Sequence, residues 1–360
     1  MFKKYKKIRY LIFFGLILLN YSEAFSKKKV EVDLEGRVAV GMAYEFQGTN
    51  PDNLNPNKSY HRVIYSDEPA AISDADVEFT IDASSFIRGR FELEADYNSV
   101  GVKMNECWVR FQIIDPIRLS FGLHRKVFGF EELTGAKSRY TIYRSFVNRY
   151  IRSFLVLEHD PILQLRIRQN VSGFNIRYYI LTGADGDVRV FGNAAVWLEW
   201  KKGRLGFSNL YTYYWDNSYS ERTNSNICAL SFDYKLKKWY GSSEIFWGLD
   251  PNASDLTRQL GEFQKIYFGA LKLLLKRIFP IDKNFVSGIE PVLSGTYIGN
   301  NLKSPSKGYS EILWGLTVHF NTKKQVRWMT DWSVIYAHNY ANVKIGRYSW
   351  RTASKVELIW

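Results

Sequence analysis

The feature that most constrains the fold is a two-residue alternation of side-chain character that recurs along nearly the whole chain. In VEVDLEGRVAVGMAYEF, residues 30–46, apolar side chains and one glycine occupy the even positions, and the charged side chains occupy odd positions. Successive side chains of a β-strand point to opposite faces, so the pattern predicts a strand with one apolar and one polar face. It is also much longer than the ~5–6 residues of an ordinary globular strand.

The same alternation predicts an all-β fold of about sixteen strands. The predicted strands are 30–46, 74–82, 86–97, 103–114, 117–127, 154–169, 173–183, 189–200, 204–215, 225–236, 239–249, 264–276, 284–298, 309–320, 325–338 and 347–360. Pro161 and Pro291 interrupt two of them, because proline cannot donate a ladder hydrogen bond. The segment LKLLLKRIF leaves a short helix open as an alternative. An even strand number in this range is typical of outer-membrane barrels.

The links between the predicted strands alternate in length. Short links follow the even-numbered strands and long links follow most odd-numbered ones, the longest being 47–73 and 128–153. Only 98–102 and 184–188 depart from this rule. Short periplasmic turns and longer external loops are the layout of a transmembrane antiparallel β-barrel. A large soluble β-barrel is the main alternative, whereas no repeat with a fixed motif supports a propeller.

The last residues, ASKVELIW, continue the alternation, with Val356, Leu358 and Trp360 on one face and Lys355 and Glu357 on the other. In a closed barrel the last strand pairs with the first, so no edge is left unpaired. Trp360 is then expected at the periplasmic rim, where amphipathic aromatic rings favour the membrane interface. The terminal pattern also looks like the signal by which outer-membrane barrels are recognised for insertion.

Residues 1–24 have the layout of a secretory signal peptide, with a lysine-rich start, the apolar run 11–19 and small residues before a cleavage site after Ala24. The remaining 25–360 is expected to form one barrel domain in the outer membrane. Without the leader the net charge of +13 falls to about +9. Export argues against nucleic acid as the partner of this charge, which leaves outer-membrane lipid, small anionic solutes or a solvated surface.

The two cysteines, Cys107 and Cys228, alternate in phase with apolar neighbours. This placement predicts two unpaired thiols that face lipid or a subunit contact rather than a disulfide or a metal site. The sequence gives no motif for a cofactor, and none is expected.

Sixteen strands enclose a lumen too wide for side chains to fill, so the polar face is expected to line water. That face carries many arginines but also many carboxylates, including Glu78, Glu92 and Glu94. The link 128–153 is basic as well, with arginines and a lysine against Glu131 and Glu132. Arginine at a constriction attracts oxyanions, although the same charges would also suit a solvated outer loop. The candidate anion-path residues are Arg37, Arg110, Arg118, His124, Arg125, Lys126, Lys137, Arg139, Arg144 and Arg149.

Two stretches resemble the phosphate-selective porins O and P. One is LSFGLHRKVFGFEELTGAKSRYTIYRS, residues 119–145, and the other is GIEPVLSGTYI followed by WGLTVHFNTKKQVRWMTDWSVIYA. The resemblance implies a sixteen-stranded homotrimeric channel for small anions such as phosphate, with the third long loop folded into the lumen and basic residues along the path. This chain differs from that family in Val127, where proline is common, and in its many lumen carboxylates.

Two other classes remain as alternatives to a non-enzymatic channel. A barrel hydrolase would need a histidine beside a serine or an acid, yet no GxSxG or HExxH motif accompanies the five histidines. His124 and His319 are expected to face the lumen by their position in the alternation. An adhesive or structural barrel would use 47–73 as its binding loop.

Overall fold

The described residues form a closed antiparallel β-barrel of sixteen strands with two short helices. The computed structural model describes residues 30–47, 70–96, 102–133, 139–142, 144–152, 159–185, 189–216, 221–250, 254, 265–281, 285–299, 302, 308–320, 325–338 and 348–360. None of the helices among these residues is long and apolar enough to cross a membrane. The predicted leader 1–24 and the loop tip 48–69 lie outside this range.

Each strand pairs with its neighbours in sequence, and the last strand returns to the first. The strands are β1 (Glu31–Gln47), β2 (Ala70–Asp82), β3 (Ile87–Asp96), β4 (Val102–Ile114), β5 (Ile117–Arg125), β6 (His159–Val171), β7 (Phe174–Asp185), β8 (Arg189–Trp200), β9 (Gly203–Asp216), β10 (Glu221–Leu236), β11 (Trp239–Leu249), β12 (Tyr267–Arg277, continued by Phe279–Pro280), β13 (Val286–Gly299), β14 (Gly308–Phe320), β15 (Gln325–His338) and β16 (Tyr348–Ile359). Helices α1 (Phe130–Leu133) and α2 (Phe146–Arg152) lie between β5 and β6.

The barrel closes through β1 and β16, as the tail pattern predicts. Arg37 lies opposite Ile359 and Gln47 opposite Ser349 in an unbroken antiparallel register. The backbones of Gly36 and Trp360 exchange two hydrogen bonds of 3.0 Å at the end of this seam. Trp360 therefore lies towards the end of the barrel that carries the short links, here called the turn end, although β1 continues beyond it to Glu31.

Each of the two prolines lies where the pairing with one neighbouring strand is absent. The lack of an N–H group therefore costs no ladder hydrogen bond on that side. Pro161 lies opposite Leu123 of β5, and the pairing of β6 with β7 begins only at Ile162. Pro291 lies on β13 in the gap of its pairing with β12, between Val292, which pairs with Lys276, and Ile289, which pairs with Phe279. The helix alternative for LKLLLKRIF is wrong, because this segment pairs on both sides as part of β12.

Outward side chains are apolar, and inward ones are small or polar outside one buried apolar cluster, the reverse of a soluble domain. On β1, Val40 and Met42 are 60% and 68% exposed, whereas Ala39 and Ala43 are buried. Both cysteines point outward between buried neighbours and form no disulfide, which confirms that they are unpaired. Their contact with lipid or with a second subunit stays a prediction. A bilayer favours this pattern, because all backbone groups pair within a closed sheet while apolar side chains meet lipid.

The closing seam leads to a first prediction at Gly41, which faces the backbone of β16. A Cβ atom there would collide with the carbonyl oxygen of Ser354 and the Cα of Lys355. We expect Gly41→Ala to lower the free energy of unfolding by roughly 1–3 kcal/mol, because packed backbone cannot move aside as a side-chain tip can. The check is the temperature at which the purified barrel loses its compact mobility in a detergent gel.

Gly192→Ala on β8 is the matched control, since a Cβ there meets nothing within 4 Å. Equal unfolding temperatures for the two variants would contradict a close approach at the seam.

Candidate functional site: the lumen and its inner loop

The link between β5 and β6 folds back inside the barrel; residues 126–158 are called the inner loop below. Its side chains pack against inward residues of the wall from β6 to β15, forming one apolar cluster. On the loop side the cluster includes Phe128, Phe130, Phe146, Val147 and Ile151, all buried. On the wall side it includes Phe191, Trp197, Leu210, Ile227, Phe246, Phe268, Ile298 and Ile335. This half of the lumen is therefore filled by protein rather than water.

A buried charge network fastens α1 to the wall. Glu244 of β11 accepts hydrogen bonds from the backbone nitrogens of Phe130 and Glu131, the first two residues of α1. Lys272 of β12 contacts Glu131 at 2.7 Å and Glu244 at 3.4 Å. Glu131 also accepts the backbone N–H of Ser145 at 2.7 Å, which joins the two halves of the loop. Every charge in this network has an opposite partner, as buried charges require.

The pKa of Glu131 reports how strongly this network favours the ionised carboxylate. Burial alone would raise that pKa. The positive charges of Lys272 and Arg144, together with hydrogen bonds from Lys272 and Ser145, outweigh burial and hold the pKa at about 2. The carboxylate is therefore ionised under all ordinary conditions, and Lys272 keeps its partner.

A second carboxylate fastens α2. Glu311 of β14 accepts the backbone N–H of Phe146 at 2.7 Å and contacts the guanidinium of Arg149 at 3.3 Å. A carboxylate at a helix N-terminus satisfies a free N–H group and favours the positive end of the helix dipole. Asp331 of β15 accepts the N–H of Ile142, and the hydroxyl of Tyr150 donates to Asp250.

Two side-chain pairs join the ends of the inner loop, where the chain leaves β5 and where it enters β6. The Nε of Arg125 donates to His159 Nε2 at 3.0 Å, and Lys126 pairs with Asp160. The chain then turns inward at Gly129, whose φ of +66° is one that glycine adopts readily. Its N–H donates to the hydroxyl of Ser208 on β9 at 3.2 Å.

The remaining half of the lumen holds an open cavity of about 850 Å³ between the inner loop and strands β1 to β9. Its wall has an acidic part on β1 to β4 and a basic part on β4 to β9, with loop arginines between them.

The carboxylates of the acidic part share a smaller number of arginines, which offset part of their charge. Arg90 contacts Glu78 at 3.1 Å, Glu92 at 2.7 Å and Glu106 at 3.1 Å. Arg37, which is 1% exposed, is paired with Asp76 at 2.6 Å and Glu357 at 3.1 Å. The abundance of carboxylates in the sequence therefore overstates the negative charge that a solute would meet.

Three neighbouring arginines have no such partner and are here called the arginine band: Arg110 and Arg166, which line the cavity, and Arg118, which lies beside them towards the turn end. Arg118 of β5 lies directly opposite Arg166 of β6. Arg110 of β4 lies opposite Ser120, two residues along β5 from Arg118. None of the three forms an ion pair with a described carboxylate, and the Nε of Arg166 is buried without a hydrogen-bond acceptor. Like charges placed opposite each other destabilise a sheet, so this arrangement has a cost that folding alone does not explain.

The structure separates the sequence-predicted path residues into groups. Arg110, His124, Arg125, Arg139, Arg144 and Arg149 line the cavity. Arg37 lines it as well, but its guanidinium is paired, and Lys126 is buried beside Asp160 and Phe191. Arg118 belongs to the arginine band at the turn end of the wall. Lys137 lies outside the described residues.

Arg144 donates a hydrogen bond to the backbone carbonyl of Glu131. Glu94, one of the lumen carboxylates, accepts a hydrogen bond from the side-chain amide of Asn105. The sequence-predicted path does not include Arg166, Gln164 or Trp197, which also line the cavity. Gln164 and Trp197 each have one buried polar atom without a hydrogen-bond partner. Their inward position in the strand alternation was the available signal.

The histidines bear on the hydrolase alternative. His124 and His319 are inward, as predicted, and His124 stacks on Trp108 with ring centroids 5.3 Å apart. One serine–histidine pair does occur on the outward face, where Ser310 Oγ lies 2.6 Å from His338 Nε2. Within the described part of the chain no acid is hydrogen-bonded to the other ring nitrogen of His338, so a complete triad is not assembled there.

Fold and site together define the class: a sixteen-stranded antiparallel barrel with one inward-folded loop beside a charged cavity. No protein-family model and no curated protein sequence matches the chain. Solved structures of outer-membrane proteins do match, and this chain has their fold.

Three of these structures show the extent of the likeness. An anion-selective porin from Comamonas acidovorans superposes with a TM-score of 0.61 at 11% identity, over 92% of this chain and 100% of that one. OmpT of Vibrio cholerae in its trimer form gives 0.62 at 9% identity, over 92% and 100%. The outer membrane channel DcaP of Acinetobacter baumannii gives 0.57 at 10% identity, over 93% and 99%. The resemblance to the phosphate-selective family stays a prediction.

The charge network around Glu131 leads to a prediction about loop docking. A carboxylate whose folded-state pKa is depressed stabilises the fold above its ordinary pKa of 4.5 and loses that contribution as pH falls towards about 2. The shift corresponds to about 3 kcal/mol at pH 7. We expect Glu131→Gln to raise amide hydrogen exchange in the inner loop at pH 7, whereas the wild-type loop stays protected between pH 7 and about pH 5.

Glu199→Gln is the control, because Glu199 pairs with Arg177 and accepts a hydrogen bond from Asn175, both of which belong to the wall. If both variants leave loop exchange at the wild-type level after correction for intrinsic rates, the Glu131 network does not hold the loop.

Proposed function

We propose that the protein is an outer-membrane porin: a water-filled diffusion channel for small solutes that prefers anions such as phosphate. The observation that carries the proposal is the arginine band, two of whose members, Arg110 and Arg166, line the cavity without a carboxylate partner among the described residues. The cavity lining as a whole has ten arginines against seven carboxylates, so the charge that a solute meets is positive in balance. A positive ring in a narrow aqueous pore lowers the energy of an anion and raises that of a cation.

The inner loop contributes the opposite side of the path. Arg139, Arg144 and Arg149 line the same cavity as Arg110 and Arg166. An anion that crosses the cavity therefore moves between guanidinium groups on the loop and on the wall. Planar guanidinium groups suit phosphate oxygens because they can donate two parallel hydrogen bonds.

The finer parts of the proposal rest on the resemblance and on the fold. We propose that residues 1–24 are removed on export, that the barrel lies in the outer membrane with the turn end in the periplasm, and that the chain is a member of the phosphate-selective family that forms homotrimers. The trimer form of the Vibrio cholerae protein supports the last point by its shared fold. A channel needs no catalytic residues, and the isolated Ser310–His338 pair gives the hydrolase alternative little support.

The arginine band provides the direct test of selectivity. Arg110→Gln and Arg166→Gln should each lower the chloride-to-potassium permeability ratio, measured as a reversal potential in a planar bilayer under a KCl gradient. One unit charge ~5 Å from an ion in water contributes about 0.8 kcal/mol, so we expect a change of roughly fourfold.

Lys201→Gln is the control, because Lys201 is an exposed residue of the β8–β9 turn rather than a cavity residue. Absence of any ion current from the wild-type protein would refute the channel itself. Unchanged ratios in both arginine variants would refute the selectivity assignment alone.

The loop arginines are tested separately by Arg139→Ala and Arg144→Ala. If the loop sets selectivity, both substitutions should reduce the permeability ratio, and added phosphate should block chloride current less effectively than in the wild type. Substitution of Arg144 also removes a hydrogen bond to the Glu131 carbonyl, so loop exchange must be measured beside it. If neither variant changes the ratio or the block, the inner loop is not the selectivity element.

A further inference from the structure

The outward face of the barrel carries an apolar groove of about 660 Å³ near the turn end. Its floor follows β11, where the outward positions are Gly241 and Ser243. Phe232 and Tyr234 of β10 form one side, and the leucines of β12 form the other. Small residues between two rows of large ones leave a channel along the strand instead of the filled apolar surface found elsewhere on the wall.

The groove is open because its glycines lack side chains. A Cβ on Gly241 would meet only the Leu274 carbonyl oxygen at 3.8 Å and Leu275 Cδ1 at 4.0 Å, and a Cβ on Gly295 would meet nothing within 4 Å. Neither glycine has a positive φ, so no backbone conformation requires glycine at these positions. A larger residue would be tolerated by the strand and would fill the groove.

A positive charge lies just beyond the groove at its turn end, beside Trp239 of the lining. Arg277 is the last residue of β12 and occupies an outward position directly opposite Trp239. Its guanidinium carbon lies 4.9 Å from the ring centroid of Trp239 and 4.5 Å from that of Phe279. No described carboxylate pairs with Arg277, and its Nε is buried without an acceptor.

Two exposed lysines extend this positive end. Lys237 and Lys238 form the turn between β10 and β11, and the carbonyl of Lys238 accepts the N–H of Ile278 at 3.0 Å. That hydrogen bond places the turn beside the residue that follows Arg277. The groove thus combines an apolar channel with a cationic, aromatic-flanked end at the depth of the membrane interface.

We propose that this groove binds an anionic phospholipid of the periplasmic leaflet. Its phosphate would lie at Arg277 and the adjoining lysines, and one acyl chain would lie over Gly241 and Ser243. A cation on the lipid-facing surface needs an anion close by, and a basic pocket at the interface is suited to an anionic headgroup. The inference goes beyond channel function and rests on the barrel lying in a bilayer with its turn end periplasmic.

The test is lipid binding to the full-length mature barrel, measured by native mass spectrometry in detergent after delipidation. We expect one phosphatidylglycerol to bind more tightly than phosphatidylcholine with the same acyl chains. An interfacial arginine contributes about 1 kcal/mol to an anionic headgroup, which is roughly a fivefold preference. Arg277→Gln should remove that preference, and Gly241→Leu should weaken binding of both lipids by filling the groove.

Two matched variants serve as controls. Lys201→Gln neutralises an exposed charge in the neighbouring turn, and Gly192→Leu adds a large side chain to an outward glycine of β8 that has open space around it. Both should keep wild-type lipid binding. All four variants should keep compact gel mobility and wild-type ion current. A loss of the lipid-binding proposal can therefore be distinguished from a loss of the channel proposal.

Several outcomes would overturn the proposal. One is equal affinity of the wild type for the two lipids, and another is unchanged binding in Arg277→Gln and Gly241→Leu. If inorganic phosphate alone displaces phosphatidylglycerol at comparable concentration, the site takes free phosphate rather than lipid. If Gly241→Leu changes the oligomer mass and leaves lipid binding intact, a second copy of the chain covers the groove.

Discussion

The arrangement of the lumen depends on one buried interaction, the contact of Lys272 with Glu131 of the inner loop and Glu244 of the wall. A loop inside a barrel exchanges water for protein contacts, so each backbone N–H at its helix ends needs a new acceptor. Glu244 and Glu311 supply these acceptors, and Lys272 balances the charge that two adjacent carboxylates would otherwise leave buried. The apolar cluster around Phe128 can then form, and the loop divides the lumen into a filled half and an open half.

This division explains why the polar wall is uneven. Where the loop packs, inward positions hold residues such as Phe191, Phe246 and Ile298, which a water-filled pore would not favour. Where the loop leaves space, inward positions carry charge, and there Arg110 and Arg166 have no carboxylate partner among the described residues. The repulsion between Arg118 and Arg166 is tolerable because water in an open lumen can screen it, whereas a closed apolar lumen would not permit it.

The sequence was sufficient for the barrel because the membrane imposes a local rule on every strand. Alternation identified all sixteen strands, including those with Pro161 and Pro291, since outward and inward positions differ so sharply in polarity. It also placed the cysteines outward. Alternation could not predict which charged side chains pair with each other. Arg37, for example, donates a hydrogen bond across the closing seam to Glu357, which is 320 residues away in the sequence. Whether an arginine is neutralised or available depends on neighbours on other strands, and alternation does not specify those neighbours.

On both surfaces of the barrel wall, the surroundings of an arginine without a carboxylate partner decide what its charge can contact. In the lumen, unpaired guanidinium groups face water and can meet mobile anions. On the outward face Arg277 has no water-filled path beside it, and Trp239 and Phe279 flank its guanidinium. An unpaired cation on this side requires an anion that can reside in the interface, and the open floor at Gly241 gives an attached chain a place to lie. The surroundings of each arginine, rather than the residue type, are therefore what lead us to propose solute passage on one surface and lipid contact on the other.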